Sequence, residues 1–336
     1  MVSKHNQINY LTMKLGGSIS QLEDDRILQF HNENGTGRAT SVDVGAKILY
    51  TEYDFKLTED FDFQLECLSN KKLYFIYVMA GNVNYSISAN RAKHKTISEL
   101  QTVILGCTKN DLKLYIAKEN RIKFAIITVE QIENEHQYSN DDVKLNKNLF
   151  KQFKNENANE PFVFHCTFNL NIKEQLEQIQ KVTQNGVVRR LLVKSFVHFT
   201  LALEILQHQK DVSNKQTGNT WLTKNELKRI KSSIDSIKEK PEYPYSITYL
   251  GREYGIPTTK LQKGFKMLTG MTATNFIRKT RVEMAERLIK QGNMNISEVV
   301  YSIGFTSRSY FSKIFKKRYN CSPKYYLENC RNTADA

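Results

Sequence analysis

At 336 residues the chain is long enough for two or three domains with their own cores, and it carries a formal net charge of +14. That charge is uneven: residues 221–336 hold 22 Lys and Arg against 10 Asp and Glu, whereas residues 1–220 hold 27 against 25, so the basic end is expected to meet a polyanion. Five Cys without a C-x-x-C pair argue against a disulfide framework, the longest apolar run (Leu73–Gly81) is far below a membrane span of ~18 residues, and the first thirty residues lack a secretory core, so a cytoplasmic protein is expected.

Residues 1 to about 25 read as polar and irregular, with an amphipathic hint at Ile8–Leu15. From Ile27 to Val129 short runs rich in Val, Ile, Tyr and Phe alternate with Gly, Asn and Asp. ILQFHN, ATSVDV, KILYTEYDF, FQLECL, LYFIYVM, VNYSISA, TVILGC, LKLYIAK and KFAIITV give about nine strand candidates. Their regular spacing predicts an antiparallel sandwich or barrel. Residues 131–165 are rich in Asn, Glu and Lys and read as a connector with one short helix near Leu145–Phe153.

Two helices are predicted next. Ile172–Thr183 places Leu176, Ile179 and Val182 on one face, and Asn185-Gly186 ends it. Val187–His208 carries Leu191, Leu192, Phe196, Phe199, Leu203 and Leu206, an apolar face too wide for one contact with a sandwich. It is either a core helix or a helix that pairs two chains. Asp211–Thr220 is polar and reads as a linker. Thr223 with Glu226 then forms a capping box opening a helix with Leu227, Ile230, Ile234 and Ile237 inward.

The last hundred residues contain one pattern twice. Tyr249, Leu250 and Tyr254 precede a turn at Gly255, after which Leu261, Phe265 and Leu268 make the apolar stripe of a second helix. Downstream, Asn295 and Glu298 box a helix that ends at Gly304, and Ser307 caps another bearing Phe311 and Phe315. The units repeat at 49 to 50 residues, joined by a longer helix that stops at Gly292. Each second helix has a polar face: Thr259, Gln262, Lys263 and Lys266 in the first, and Arg308, Ser309, Ser312, Lys313, Lys316 and Lys317 in the second. Two helices joined by a glycine turn, with side chains of base-reading length and cations on the open face, predict paired helix-turn-helix units.

Those units, the Arg281, Ala285, Leu288 pattern between them, the IGF turn and SYFSKIFKKRY followed by Ser-Pro closely resemble the DNA-binding domain of AraC/XylS-family transcription regulators over about residues 222–327. Gly251 and Val300 stand where the family prefers Ala, Asn320 stands where it prefers Gly, and the usual Arg after the closing aromatic is absent. Carried onto this chain, the resemblance implies base reading by Thr259, Gln262, Lys263, Arg308, Ser309, Ser312 and Lys313. It leaves phosphate contacts to Lys266, Lys316 and Lys317.

The resemblance further implies a multidomain chain: a cupin-like all-β effector domain (1–135), a connector and helical dimerisation segment (136–210), a linker (211–222) and an all-α DNA-binding domain (223–330). Tyr74, Phe75, Tyr77 and Tyr85 are its effector-binding candidates, and Leu192, Phe196, Phe199 and Leu203 its dimerisation candidates. Cupins often hold a metal, but His31, His94 and His136 stand alone, so neither metal nor other cofactor is expected. Double-stranded DNA, a small-molecule effector, a second copy of the chain and RNA polymerase are the implied partners. The rival readings are a cupin-type enzyme, for which no nucleophile elbow or phosphate loop is present, and a constitutive dimeric DNA-binding protein without effector.

Overall fold

The computed structural model describes residues 6–22, 25–65, 72–87, 94–106, 112–118, 120–155, 160–216 and 222–332. The chain divides into two units, Met1–Gly218 and Asn219–Ala336.

The first unit opens with α1 (Asn6–Leu15) and β1 (Ser18–Leu22), β2 (Asp25–Asn32), β3 (Gly35–Gly45) and β4 (Ile48–Leu57), an antiparallel meander. It continues through β5 (Phe61–Leu65), β6 (Lys72–Ala80), β7 (Asn82–Ser86), β8 (Lys95–Ser98), β9 (Thr102–Gly106), β10 (Leu112–Ile116) and β11 (Arg121–Glu130). Then follow α2 (Asn140–Gln152), β12 (Phe162–His165), α3 (Leu170–Gln180) and α4 (Gly186–Gln216). One sheet has the order β1-β2-β3-β4-β11-β6-β9-β12, the other β5-β10-β7-β8.

All nine predicted strands are present, although the ends of three of them, at residues 66–68, 88–89 and 107, lie outside the described residues. The two sheets share a core built by alternation. Tyr53 and Phe55 of β4, Phe124 of β11 and Tyr74, Ile76 and Val78 of β6 turn to one side, where they meet Phe63, Tyr85 and Leu114 of the smaller sheet. Tyr53 stacks on Phe124 at 4.5 Å, and Phe63 lies 5.6 Å from Tyr53. α1 adds Ile8, Leu11 and Leu15 to the same cluster. The expectation of an irregular beginning is thus corrected: the hint at Ile8–Leu15 is a helix packed on β2 and β3.

The opposite face of β6 meets helices. Phe75 packs edge-on to Phe153 at 5.4 Å, and the Tyr77 hydroxyl donates to the Asn169 carbonyl at 2.7 Å. β12, inside the predicted connector, pairs with β9 and makes that passage part of the sheet. The predicted linker is corrected too, because α4 runs to Gln216 and Asp211 is buried. The Asp211 carboxylate accepts from the Thr167 amide at 2.6 Å and from its hydroxyl at 2.7 Å, a tie that composition could not reveal. Residues 217–221 lie outside the described residues.

The second unit is helical: α5 (Lys224–Glu239), α6 (Ile247–Glu253), α7 (Thr258–Thr269), α8 (Ala273–Gln291), α9 (Ile296–Ser302), α10 (Arg308–Tyr319) and α11 (Pro323–Asn332). α8 serves both halves. Phe276 packs on Phe265 of α7 at 5.8 Å, and further along Val282, Ala285 and Ile289 join the cluster of Val299, Val300, Phe311 and Phe315.

Candidate nucleic-acid interface

Two turns set the site. At Gly255 and Gly304 the backbone takes φ of +59° and +77°, the left-handed region that glycine enters without a Cβ penalty. At Gly304 a Cβ would also stand 2.5 Å from the Glu242 carbonyl. Each turn is held by an arginine of a preceding helix. Arg229 of α5 donates to the carbonyls of Tyr254 and Gly255 at 3.1 and 2.9 Å. Arg281 of α8 donates to Gly304 at 3.0 Å, and also to Pro241 at 2.8 Å and Tyr243 at 2.7 Å. Half-burial pulls the Arg281 guanidinium below its usual value, but three carbonyl acceptors satisfy it as a cation. Sequence spacing placed Arg281 in a motif; its job as a clamp, and the matching job of Arg229, depended on distant carbonyls.

The caps follow local rules. Thr223 with Glu226 and Asn295 with Glu298 form reciprocal capping boxes, and the Ser307 hydroxyl accepts from the Tyr310 amide. Asn320, in the position where glycine was expected, takes φ +59° as a left-handed C-cap. Val300 is fully buried beside Phe311 and Phe315, so the side chain larger than Ala is absorbed by the second half's core.

These constraints leave one open face on each of α7 and α10. Thr259, Lys263, Lys266, Arg308, Ser309, Lys313, Lys316 and Lys317 are exposed, whereas Gln262 and Ser312 are half-buried. Gln262 is partly committed, since its Oε1 accepts from the Ala273 amide at 3.2 Å and so caps α8. Its NH2 group has no partner in that bond and stays available. Tyr310, which the sequence reading passed over, is 44% exposed in the first turn of α10 under the Arg278 guanidinium, 5.6 Å from its ring centre. An aromatic directly after Ser309 was the available signal.

Charge pairing separates structural cations from available ones. Lys260 pairs with Glu226 at 2.7 Å, Lys290 with Glu286 at 2.6 Å, and Arg318 with Glu283. Lys266, Arg308, Lys313, Lys316 and Lys317 have no carboxylate partner among the described residues. Five unpaired cations on two exposed helix faces suit a phosphate backbone.

The remaining candidates are in the first unit. Tyr74, Phe75, Tyr77 and Tyr85 are all buried, but they do not share one lining. Tyr74 and Tyr85 face the inter-sheet core, while Phe75 and Tyr77 face the helical layer. Alternation along β6 separates them. The Tyr85 hydroxyl lies 2.8 Å from Nε2 of His165. On α4 the buried face is Val193, Val197, Thr200, Leu201 and Glu204, so Leu192, Phe196 and Leu203 are only half-buried and Phe199 is 52% exposed. Val188, Leu191 and Leu206 extend this outward apolar stripe. Among the described residues no three His, Cys, Asp or Glu side chains are grouped to hold a metal, and no helix is long and apolar enough to cross a membrane.

Comparison with known proteins matches residues 250–329 to a family described as "Helix-turn-helix domain". The HTH-type transcriptional regulator AlkR of Acinetobacter baylyi is 24% identical over 135 residues, 40% of this chain and 44% of that one. The probable transcription factor PqrA of Proteus vulgaris is 31% identical over 83 residues, 25% of this chain and 68% of that one. The chain spans less than half the length of the first curated relatives it matches. Among solved structures, ToxT from Vibrio cholerae is 17% identical over 84% of this chain and 98% of its own, with a TM-score of 0.30, a likeness too slight for any argument to rest on it.

Proposed function

The chain belongs to the AraC/XylS family of helix-turn-helix regulators, and from that membership we propose that it is a sequence-specific DNA-binding transcription regulator. α7 and α10 enter two successive major grooves on one face of the duplex, about one helical turn or ~34 Å apart. Thr259, Gln262 through its amide NH2, Lys263, Arg308, Ser309, Ser312 and Lys313 face base edges, and Lys266, Lys316 and Lys317 face phosphates. The observation that carries this reading is the set of five exposed cations on α7 and α10 left without carboxylates, while Lys260, Lys290 and Arg318 are paired.

The first unit supplies control. A small molecule is its input, and the outward stripe of α4, with Val188, Leu191, Phe199 and Leu206 exposed and Leu203 half-buried, pairs two copies of the chain, because so many exposed apolar side chains on one helix ask for a partner. The protein works in the cytoplasm, where its DNA is, acts on transcription together with RNA polymerase, and catalyses no reaction.

Salt dependence tests the phosphate assignments. Fluorescence anisotropy with a random duplex should give affinity falling steeply with salt, and replacing Lys316 and Lys317 by Gln should flatten the slope by about 0.9 per lost contact. An unchanged slope in the double variant would remove these two lysines from the interface.

A further inference from the structure

The face of the larger sheet turned away from the sandwich core bears a cleft of about 390 Å³, closed on its other side by the α3–α4 turn. That volume falls within the range of about 300 to 1,000 Å³ usual for small-molecule sites. Ile27, Val42 and Tyr50 of the sheet and Ile179 and Val182 of the helix end give it an apolar floor. The rim is charged, and strand register decides how. Arg38 of β3 lies opposite Asp54 of β4, which lies opposite Lys123 of β11.

Each carboxylate of the rim is already occupied. Asp54 accepts two bonds from Arg121, at 2.8 and 2.7 Å, and has Lys123 at 3.9 Å. Glu52 accepts from the Tyr50 hydroxyl at 2.7 Å and from the Gln180 amide, with Lys123 at 3.6 Å. Arg189 at the start of α4 is bound to Asp25 at 2.5 Å and to the Val182 carbonyl at 3.1 Å. Arg38 is the remainder. It is exposed, its Nε meets only the Thr40 hydroxyl at 3.3 Å, and among the described residues no carboxylate reaches it.

We propose that this cleft binds a small monocarboxylate bearing hydroxyl or amide groups, and that its occupancy is the chemical input of the regulator. Arg38 takes the carboxylate through its planar fork, the geometry a guanidinium matches best. Thr183, Gln184 and Asn185 of the turn supply neutral donors and acceptors for the other end. A phosphate ester would bring nearly two negative charges beside Glu52 and Asp54, with one free cation to receive them; a single carboxylate matches that one cation. The turn leads through Gly186 (φ +63°, with open space around its Cβ position) directly into α4. A ligand bridging β3 to the turn therefore fixes the first turn of α4 against the sheet, next to Val188 and Leu191 of the pairing stripe. Occupancy is coupled in this way to the arrangement of α4 that pairs. The proposal rests on the regulator reading above.

The test uses the full chain. Gluconate, glycerate, lactate and glutamine, their methyl esters or amides, and inorganic phosphate are screened by thermal shift and titration calorimetry, alongside Arg38→Met and Asn185→Ala. At least one free acid should raise the wild-type melting temperature by several degrees while its ester does not. Arg38→Met should leave the unliganded melting temperature unchanged and weaken that acid about tenfold or more. No Arg38-dependent shift with any acid, or such a shift with phosphate alone, overturns the proposal. DNA binding measured on the same samples separates the two readings: a chain that binds DNA but ignores the acids loses only the cleft, whereas one that binds no DNA loses the regulator.

Discussion

A few side chains carry chemical consequences beyond their own positions, and Glu204 is the sharpest case. It sits on the buried face of α4 with one oxygen 3.4 Å from the Thr102 hydroxyl and the other without a partner. Burial pushes its carboxyl up to about 8, against an opposing effect of the Thr102 bond. The folded protein therefore keeps a proton that the unfolded chain releases near the ordinary glutamate value. Stability is fullest below that ordinary value and falls as pH rises towards 8, with a slope approaching about 1.4 kcal/mol per unit. Glu204→Gln should flatten this slope and raise stability at pH 8 in urea unfolding; an unaltered slope would mean the carboxyl is already ionised in the fold. At the DNA face, Arg308→Ala should cost about 1 to 3 kcal/mol at the preferred site and relax one or two base positions, because Arg bonds guanine bidentately. Equal loss on all sequences would make Arg308 a phosphate contact. Arg308, Lys313 and Lys317 were legible from spacing, since exposure on a short helix follows its apolar stripe. The commitment of Gln262 was not, because its partner Ala273 belongs to the next helix.

Among the elements, α4 shows how periodicity identifies a face without saying where that face points. Leu192, Phe196, Phe199 and Leu203 were legible as an apolar set. The second, narrower set of Val193, Val197 and Leu201 takes the core instead, joined by Thr200, Glu204 and Gln207, whose polarity hid it. Gln207 donates to the Asp211 carboxylate at 2.9 Å and accepts from Asn169 at 2.9 Å, so polar bonds anchor this end of the helix. Phe199→Glu, at an exposed site, should leave a folded protein that sediments as a monomer. A dimer that persists unchanged in Phe199→Glu and Leu203→Glu would place the pairing surface elsewhere. The longer strands such as β3, β4 and β11 were legible; β1, five residues within a stretch read as irregular, and β8 and β12, four residues each, were too short to show a period.

For the whole molecule, the sequence was informative in proportion to how local the physics is. Capping boxes, glycine turns and the repeated stripes depend on neighbours a few residues apart, so the helical unit could be read almost element by element. The first unit depends on contacts between distant strands. Its two-sheet architecture was legible, but the division of Phe75 and Tyr77 from Tyr74 and Tyr85 required knowing which face of β6 met the helices. The central claim is that two recognition helices of one chain read two successive grooves. Selection of the full-length protein on random duplex DNA, followed by footprinting of the enriched sequences, tests it most directly. Two short motifs about one helical turn apart should emerge, protected on the same face of the duplex, and inserting five base pairs between them should abolish tight binding. Enrichment of no sequence, or undiminished affinity after the insertion, would contradict the account.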